Sequence, residues 1–171
     1  MRIKNNNREL NMSHEIKIES SLTKEERYRQ LMPQVKALIA DESDLIANMA
    51  NICGAMKYAM EGIFWVGFYF VKGGELVLGP YQGPVACTRI QIPNGVCGAA
   101  AERMEAVIVE DVEKFPGHIA CSSLSKSEIV IPIIRNGKVL AVLDVDSDRL
   151  NMFDKTDEKY LSEICAMIKF V

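Results

Sequence analysis

Hydrophobic positions along this chain change period several times, and each change marks a new element. Thr23 and Glu26 have capping-box spacing, and Leu31, Val35, Leu38 and Ile39 follow at helical intervals. Pro33 falls inside that run and predicts either a kink or a later helix start. Ser43 is the expected cap of a second helix with the stripe Leu45, Ile46, Met49, Ile52, Cys53 and Met56. Cys53 and the methionines on that stripe read as core packing. From Ile63 the pattern turns extended. Residues Ile63 to Lys72 are aromatic and β-branched on both faces, which predicts a strand covered on both sides. Gly73-Gly74 is a hairpin signal, and Glu75 to Leu78 forms the returning strand. Gly95 to Met104 has short helical character, and Ala106 to Val109 reads as a strand. Ser127 to Arg135 and Lys138 to Ser147 flank Asn136-Gly137, whose residues suit a type I′ turn. Asp154 then caps a closing helix that buries Tyr160, Leu161, Ile164 and Ile168 and carries a structural Cys165. This order predicts an α+β fold, an antiparallel sheet with helices packed on its faces.

Composition narrows the class. At 171 residues, with 49% hydrophobic and 25% charged side chains, the chain is expected to form one globular domain over residues 21–171. Residues 1–20 are expected to be a partly disordered extension, with Met12 as an alternative start. A net charge of −3 without a basic patch argues against nucleic acid. No apolar run reaches the roughly 20 residues of a membrane span, and the N-terminus has no apolar signal core. Five cysteines cannot all pair within one chain, so a reducing, cytoplasmic setting is expected.

Three of those cysteines, Cys87, Cys97 and Cys121, lie in segments rich in Gly, Pro and small residues, where a side chain can be exposed at a site. Four readings of this region compete. Free cysteines are often small buried hydrophobes. Cys87, Cys97, Cys121 and His118 have the ligand types of a zinc site but lack the short C-x₂₋₄-C spacing. Asp144, Asp146 and Asp148 resemble the start of a calcium loop, but Arg149 and Lys155 stand where Gly and Glu are required. No metal is therefore expected. The fourth reading is thiol redox catalysis, with Cys121 attacking, Cys87 or Cys97 resolving, and Glu128 or the Asp144/Asp146 pair as acid. Asp144 and Asp146 are two apart on a strand and so share a face.

Six segments recur in register with one family: Leu78-Gly79-Pro80-Tyr81-Gln82-Gly83, Ala86-Cys87, Gly95-Val96-Cys97-Gly98-Ala99-Ala100, Phe115 to Cys121, Ser127-Glu128-Ile129-Val130 and Val142 to Ser147. Over about residues 22 to 170 the chain closely resembles the free methionine-(R)-sulfoxide reductases, which are built on a GAF domain. The resemblance implies a GAF-like antiparallel sheet, Cys121 as catalytic nucleophile, Cys87 as main resolving thiol and Cys97 as an additional partner. It implies Glu128, Asp144 and Asp146 as pocket carboxylates, with Trp65 and Tyr69, on one strand face, as aromatic pocket residues. Glu128 would protonate the sulfoxide oxygen, Trp65 would receive the S-methyl group, and Asp144 and Asp146 would hold the ammonium. No bound cofactor is implied. Recycling is expected from thioredoxin, with thioredoxin reductase and NADPH behind it, and the assembly is expected to be a homodimer. Ser122, Glu113 and Asn94 depart from the family's usual residues but remove no proposed catalytic group. The rival reading is a GAF module that binds a small molecule as a sensor, or dimerises, without catalysis.

Overall fold

The computed structural model describes residues 15–119 and 121–170. Most of the expected extension lies outside the described residues. Its last part, 15–20, runs extended along the first helix, where the Lys17 and Glu19 amides donate to the Gln34 and Gln30 side chains.

Thr23 forms the capping box its spacing predicts, and the first helix, α1, starts directly after it as Lys24–Leu38. Pro33 sits inside this helix without delaying its start, which removes the later-start alternative. The second helix, α2 (Leu45–Ala59), is capped by Asp44 rather than Ser43. The Asp44 carboxylate accepts the Ala47 N–H at 2.8 Å, so the cap falls one residue later than expected.

The first hairpin is β1 (Ile63–Lys72) and β2 (Glu75–Gln82), joined through Gly73 and Gly74 at φ +61° and +85°. The returning strand runs four residues past its expected end, through Gly79 and Pro80. The register explains how a proline is carried there: Gly67 pairs with Tyr81 and Tyr69 with Leu78, so Gly79 and Pro80 together oppose Phe68 in a bulge. Next come β3 (Arg89–Gln91), α3 (Gly95–Arg103), β4 (Val107–Val109) and a 3₁₀ turn at Val112–Lys114. The second hairpin, β5 (Ser127–Arg135) with β6 (Lys138–Ser147), has the predicted bounds. Asn136 and Gly137 take φ +52° and +71°, as a type I′ turn requires. The chain closes with α4 (Lys155–Met167), capped by Asp154 in a second capping box.

All strand pairs are antiparallel, in the order β3-β2-β1-β6-β5-β4. Strand alternation gives the sheet two different faces. Val66, Phe68, Ile129, Ile131, Leu143 and Val145 point toward α1, α2 and α4 and form the main core. Each such side chain contributes about 1.5–3 kcal/mol of transfer free energy. Cys53 and Cys165 are buried in this core, and burial pushes both thiols up to about 12, so they stay protonated. On the other face Trp65, Tyr69, Val130 and Val142 meet α3 and the long loops in a smaller cluster. No helix among the described residues is long and apolar enough to cross a membrane.

Candidate functional site

The second face of the sheet carries the chemistry because its register lines up particular side chains. Trp65 on β1, Asp146 on β6 and Glu128 on β5 form one row across three neighbouring strands. The next row is Gly67, Asp144 and Val130. Glycine is needed in that row. A Cβ on Gly67 would lie 2.4 Å from the Trp65 ring and 2.5 Å from the Tyr81 Cβ, so the indole lies over this position. Trp65 stacks on Tyr81 at 5.4 Å and on Tyr69 at 6.0 Å between ring centroids, and its Nε1–H donates to the Pro84 carbonyl at 3.0 Å. Tyr81 is a site residue the sequence reading did not single out, although it lies in one of the recurring segments.

The loops after β2 and before β5 cover this face. There Cys87 and Cys121 are joined in a disulfide with Cα atoms 5.4 Å apart. The Tyr69 hydroxyl donates to the Cys87 carbonyl at 3.1 Å, which ties this loop to the sheet. The cavity between loops and sheet is lined by Trp65, Tyr69, Glu128, Asp144 and Asp146 on the sheet side. Ala86, His118, Ile119 and Cys121 line the loop side, and Gly95, Val96 and Cys97 the start of α3. Asn94 makes no side-chain cap bond there, so the first amides of α3 keep their donors for another acceptor.

Cys97 departs from the grouping the sequence suggested. It is the third residue of α3 and only 3% exposed, held in a helix rather than a loop, and it is outside the disulfide. Its thiol approaches Glu128 Oε1 at 3.9 Å. Because Cys87 and Cys121 are bonded to each other, the zinc set Cys87, Cys97, Cys121 and His118 does not exist in this state. A different group does: one ligand atom each from Cys97, Glu128 and Asp144 lies within 4.8 Å of the others.

Three carboxyl groups share this small space, and among the described residues lining it none is lysine or arginine. Burial, followed by the charges of Asp144 and Asp146, holds Glu128 well above the ordinary carboxylate range. Burial and then the Asp146 charge do the same to Asp144. Burial pushes Asp146 up to about 6, opposed by the Ser125 hydroxyl, which donates to Asp146 Oδ1 at 2.5 Å. Ser125 is a second residue the sequence did not mark, and no motif signals it. Asp144 Oδ1 is buried without any partner. His118 Nε2 lies 4.0 Å from Glu128 Oε2, a distance that admits an ion pair. Burial lowers the imidazole while raising the carboxyl, so this is a contact between neutral groups. The Cys97 thiol is pushed well up by burial and the neighbouring carboxylates, which makes it a poor nucleophile. Such a site favours a cationic ligand and can donate protons to a bound group.

The chain matches the GAF domain family model over residues 40–171. It is 54% identical to GAF domain-containing protein A of Dictyostelium discoideum, over 92% of this chain and 99% of that protein. It is 42% identical to the free methionine-R-sulfoxide reductase of Saccharomyces cerevisiae, over 87% of each chain. Among solved structures it resembles the free methionine-R-sulfoxide reductase of Neisseria meningitidis in complex with its substrate. That likeness has a TM-score of 0.87 at 48% identity and covers 91% of this chain and 93% of the other.

Proposed function

The chain belongs to the GAF-domain family and, within it, to the free methionine-R-sulfoxide reductases, and we propose that it reduces free L-methionine-(R)-sulfoxide to methionine with Cys121 as nucleophile and Cys87 as resolving thiol. One observation carries this assignment of roles: the Cys87–Cys121 bond lies at a cavity lined by Trp65 and three carboxyl groups, of which Glu128 and Asp144 are buried.

The chemistry follows from the groups present. The substrate ammonium takes the place of the missing basic side chain beside Asp144 and Asp146. The substrate carboxylate docks on the uncapped amides at the start of α3, where the helix dipole favours an anion. The S-methyl group packs on the electron-rich face of Trp65. Glu128, protonated in its buried setting, donates a proton to the sulfoxide oxygen, and the Cys121 thiolate attacks the sulfur. The oxygen leaves on Cys121 as a sulfenic acid, and methionine departs. The Cys87 thiol displaces that oxygen as water and forms the disulfide. A thioredoxin-class dithiol, kept reduced by thioredoxin reductase and NADPH, reopens it by exchange and becomes oxidised itself. A cytoplasmic location suits a cycle that depends on such a reductant. Methionine within a polypeptide has neither free end for the two polar subsites, which gives selectivity for the free amino acid. The homodimer is carried over from the family resemblance and is checked by sedimentation.

The test is consumption of free L-methionine-(R)-sulfoxide in an assay coupled to thioredoxin, thioredoxin reductase and NADPH. Wild type turns over and Cys121→Ser does not. No turnover by wild type, or undiminished turnover by the variant, overturns the reading.

A further inference from the structure

The cycle uses two of the three pocket thiols and leaves Cys97 over. Its sulfur is buried in the first turn of α3, 3.9 Å from Glu128 Oε1. With Glu128 and Asp144 it forms the group whose ligand atoms all lie within 4.8 Å of one another. A second feature of the same place is an unpartnered acceptor. Asp144 is 7% exposed and lines the cavity, yet its Oδ1 has no hydrogen-bond partner.

A thiol and two carboxyl groups around one small cavity are a donor set for a borderline cation. Hard ions such as Mg²⁺ and Ca²⁺ take oxygen ligands and gain little from sulfur, whereas Zn²⁺ takes sulfur and oxygen together. With Zn–S near 2.3 Å and Zn–O near 2.0 Å, tetrahedral angles put the sulfur and oxygen about 3.5 Å apart. The observed 3.9 Å is a few tenths of an ångström longer, a difference that small side-chain rotations absorb. With three protein ligands, a tetrahedral ion would take water in its fourth position.

We propose that Cys97, Glu128 and Asp144 bind one Zn²⁺ ion, and that the ion excludes the substrate ammonium from Asp144. Ion binding stands on the geometry alone, and its inhibitory consequence rests on the reductase reading. Substrate ammonium and metal ion are both cations that would use the Asp144 carboxylate, so only one occupies the site at a time.

The experiment uses the full chain in its disulfide state, in chelator-free buffer. Cys87 and Cys121 are then tied to each other and Cys97 is the only free pocket thiol, with Cys53 and Cys165 in the helix-side core. Zinc chloride is titrated against a chromophoric chelator, and cobalt chloride serves as a spectroscopic stand-in. We expect one ion per chain, a thiolate-to-cobalt charge-transfer band, and weaker apparent zinc affinity when free methionine is added. Cys97→Ser abolishes the band, and both it and Asp144→Asn weaken zinc binding by at least about tenfold. Using two variants keeps the test informative if one does not fold, which circular dichroism reports. No stoichiometric ion on the oxidised wild type, no charge-transfer band, or equal zinc binding by Cys97→Ser overturns the site. An ion that binds without competing with methionine overturns the exclusion. Sulfoxide turnover is scored separately: turnover without zinc binding removes only the metal site, and zinc binding without turnover removes only the reductase reading.

Discussion

Glu128 and Asp146 stand directly opposite each other on β5 and β6, two carboxyl groups on one face of an antiparallel pair. Like charges in such a pair repel when both ionise, and burial makes the ionised forms costlier still. The fold therefore favours retention of a proton in this row, where the proposed reaction needs a donor for the sulfoxide oxygen.

Replacing that proton donor should slow chemistry and leave the fold intact. Glu128→Gln is expected to lower kcat by roughly 10²–10⁴ in the coupled assay. Its midpoint in urea should equal or exceed that of wild type, because a neutral isostere relieves the buried carboxyl cluster. A kcat near that of wild type would move the donor role to Asp144 or Asp146.

Resolution and attack separate in a single-turnover experiment. Cys87→Ser should release about one methionine per chain, as a lone attacking thiol does, and then stall with thioredoxin. Peptide mapping of the oxidised wild type should recover the Cys87–Cys121 bridge, with Cys97 alkylated only after unfolding. Normal steady-state turnover by Cys87→Ser would transfer the resolving role to Cys97.

Gly67→Ala tests the seat of Trp65. The new methyl group meets the indole and the Tyr81 Cβ well inside contact distance, so the ring must move. Overpacking of this kind costs about 1–3 kcal/mol, and a displaced aromatic wall should raise KM more than it lowers kcat. An unchanged KM would separate Trp65 from substrate binding.

The link between α1 and α4 predicts behaviour in acid. Buried Asp157 accepts from the Lys24 ammonium, the Tyr28 hydroxyl and the Asp154 amide, and Tyr28 stacks on Tyr160 at 4.9 Å. Asp157→Asn leaves donors unmatched and should cost roughly 2–4 kcal/mol in urea unfolding, with kcat of the folded fraction unchanged. For Asp154 burial acts upward, but the Lys24 ammonium and Thr156 amide outweigh it and hold the carboxyl down at about 2, below its ordinary 3.8. The unfolded chain binds the proton first, so this contribution is intact above about pH 4 and fades as pH falls toward 2. Asp154→Asn should flatten acid unfolding across that window. An unaltered acid transition would show that this carboxylate adds nothing to stability.

Much of the fold was legible because its signals are local. Thr23 with Glu26, and Asn136 with Gly137, each state a backbone geometry within four residues, and both appear as read. The full length of β2 was not legible beyond Leu78, because Gly79 and Pro80 disfavour a strand and only a bulge against β1 keeps them in the sheet. The three-residue strand β3 owes its pairing to β2, not to any pattern of its own. At the site, Cys87, Cys121, Glu128, Asp144, Asp146, Trp65 and Tyr69 do converge on one cavity or its rim. Cys97 lies in the helix expected over Gly95 to Met104, but no sequence pattern shows that its thiol is buried against Glu128. Ser125 lies in the loop before β5, and only the folded loop brings its hydroxyl to Asp146.

The Cys87–Cys121 bond closes a loop across 34 residues that contains β3, α3 and β4. On chain-entropy grounds a closure of that length holds the folded state by about 3–4 kcal/mol relative to the opened thiols. Under the proposed cycle each catalytic round would change the stability of the whole domain as well as the state of two sulfurs. Plentiful reductant would then hold the protein in the looser form, more open to unfolding and proteolysis. Scarce reductant would leave it in the clasped form, and the lifetime of the molecule would report the thiol supply around it.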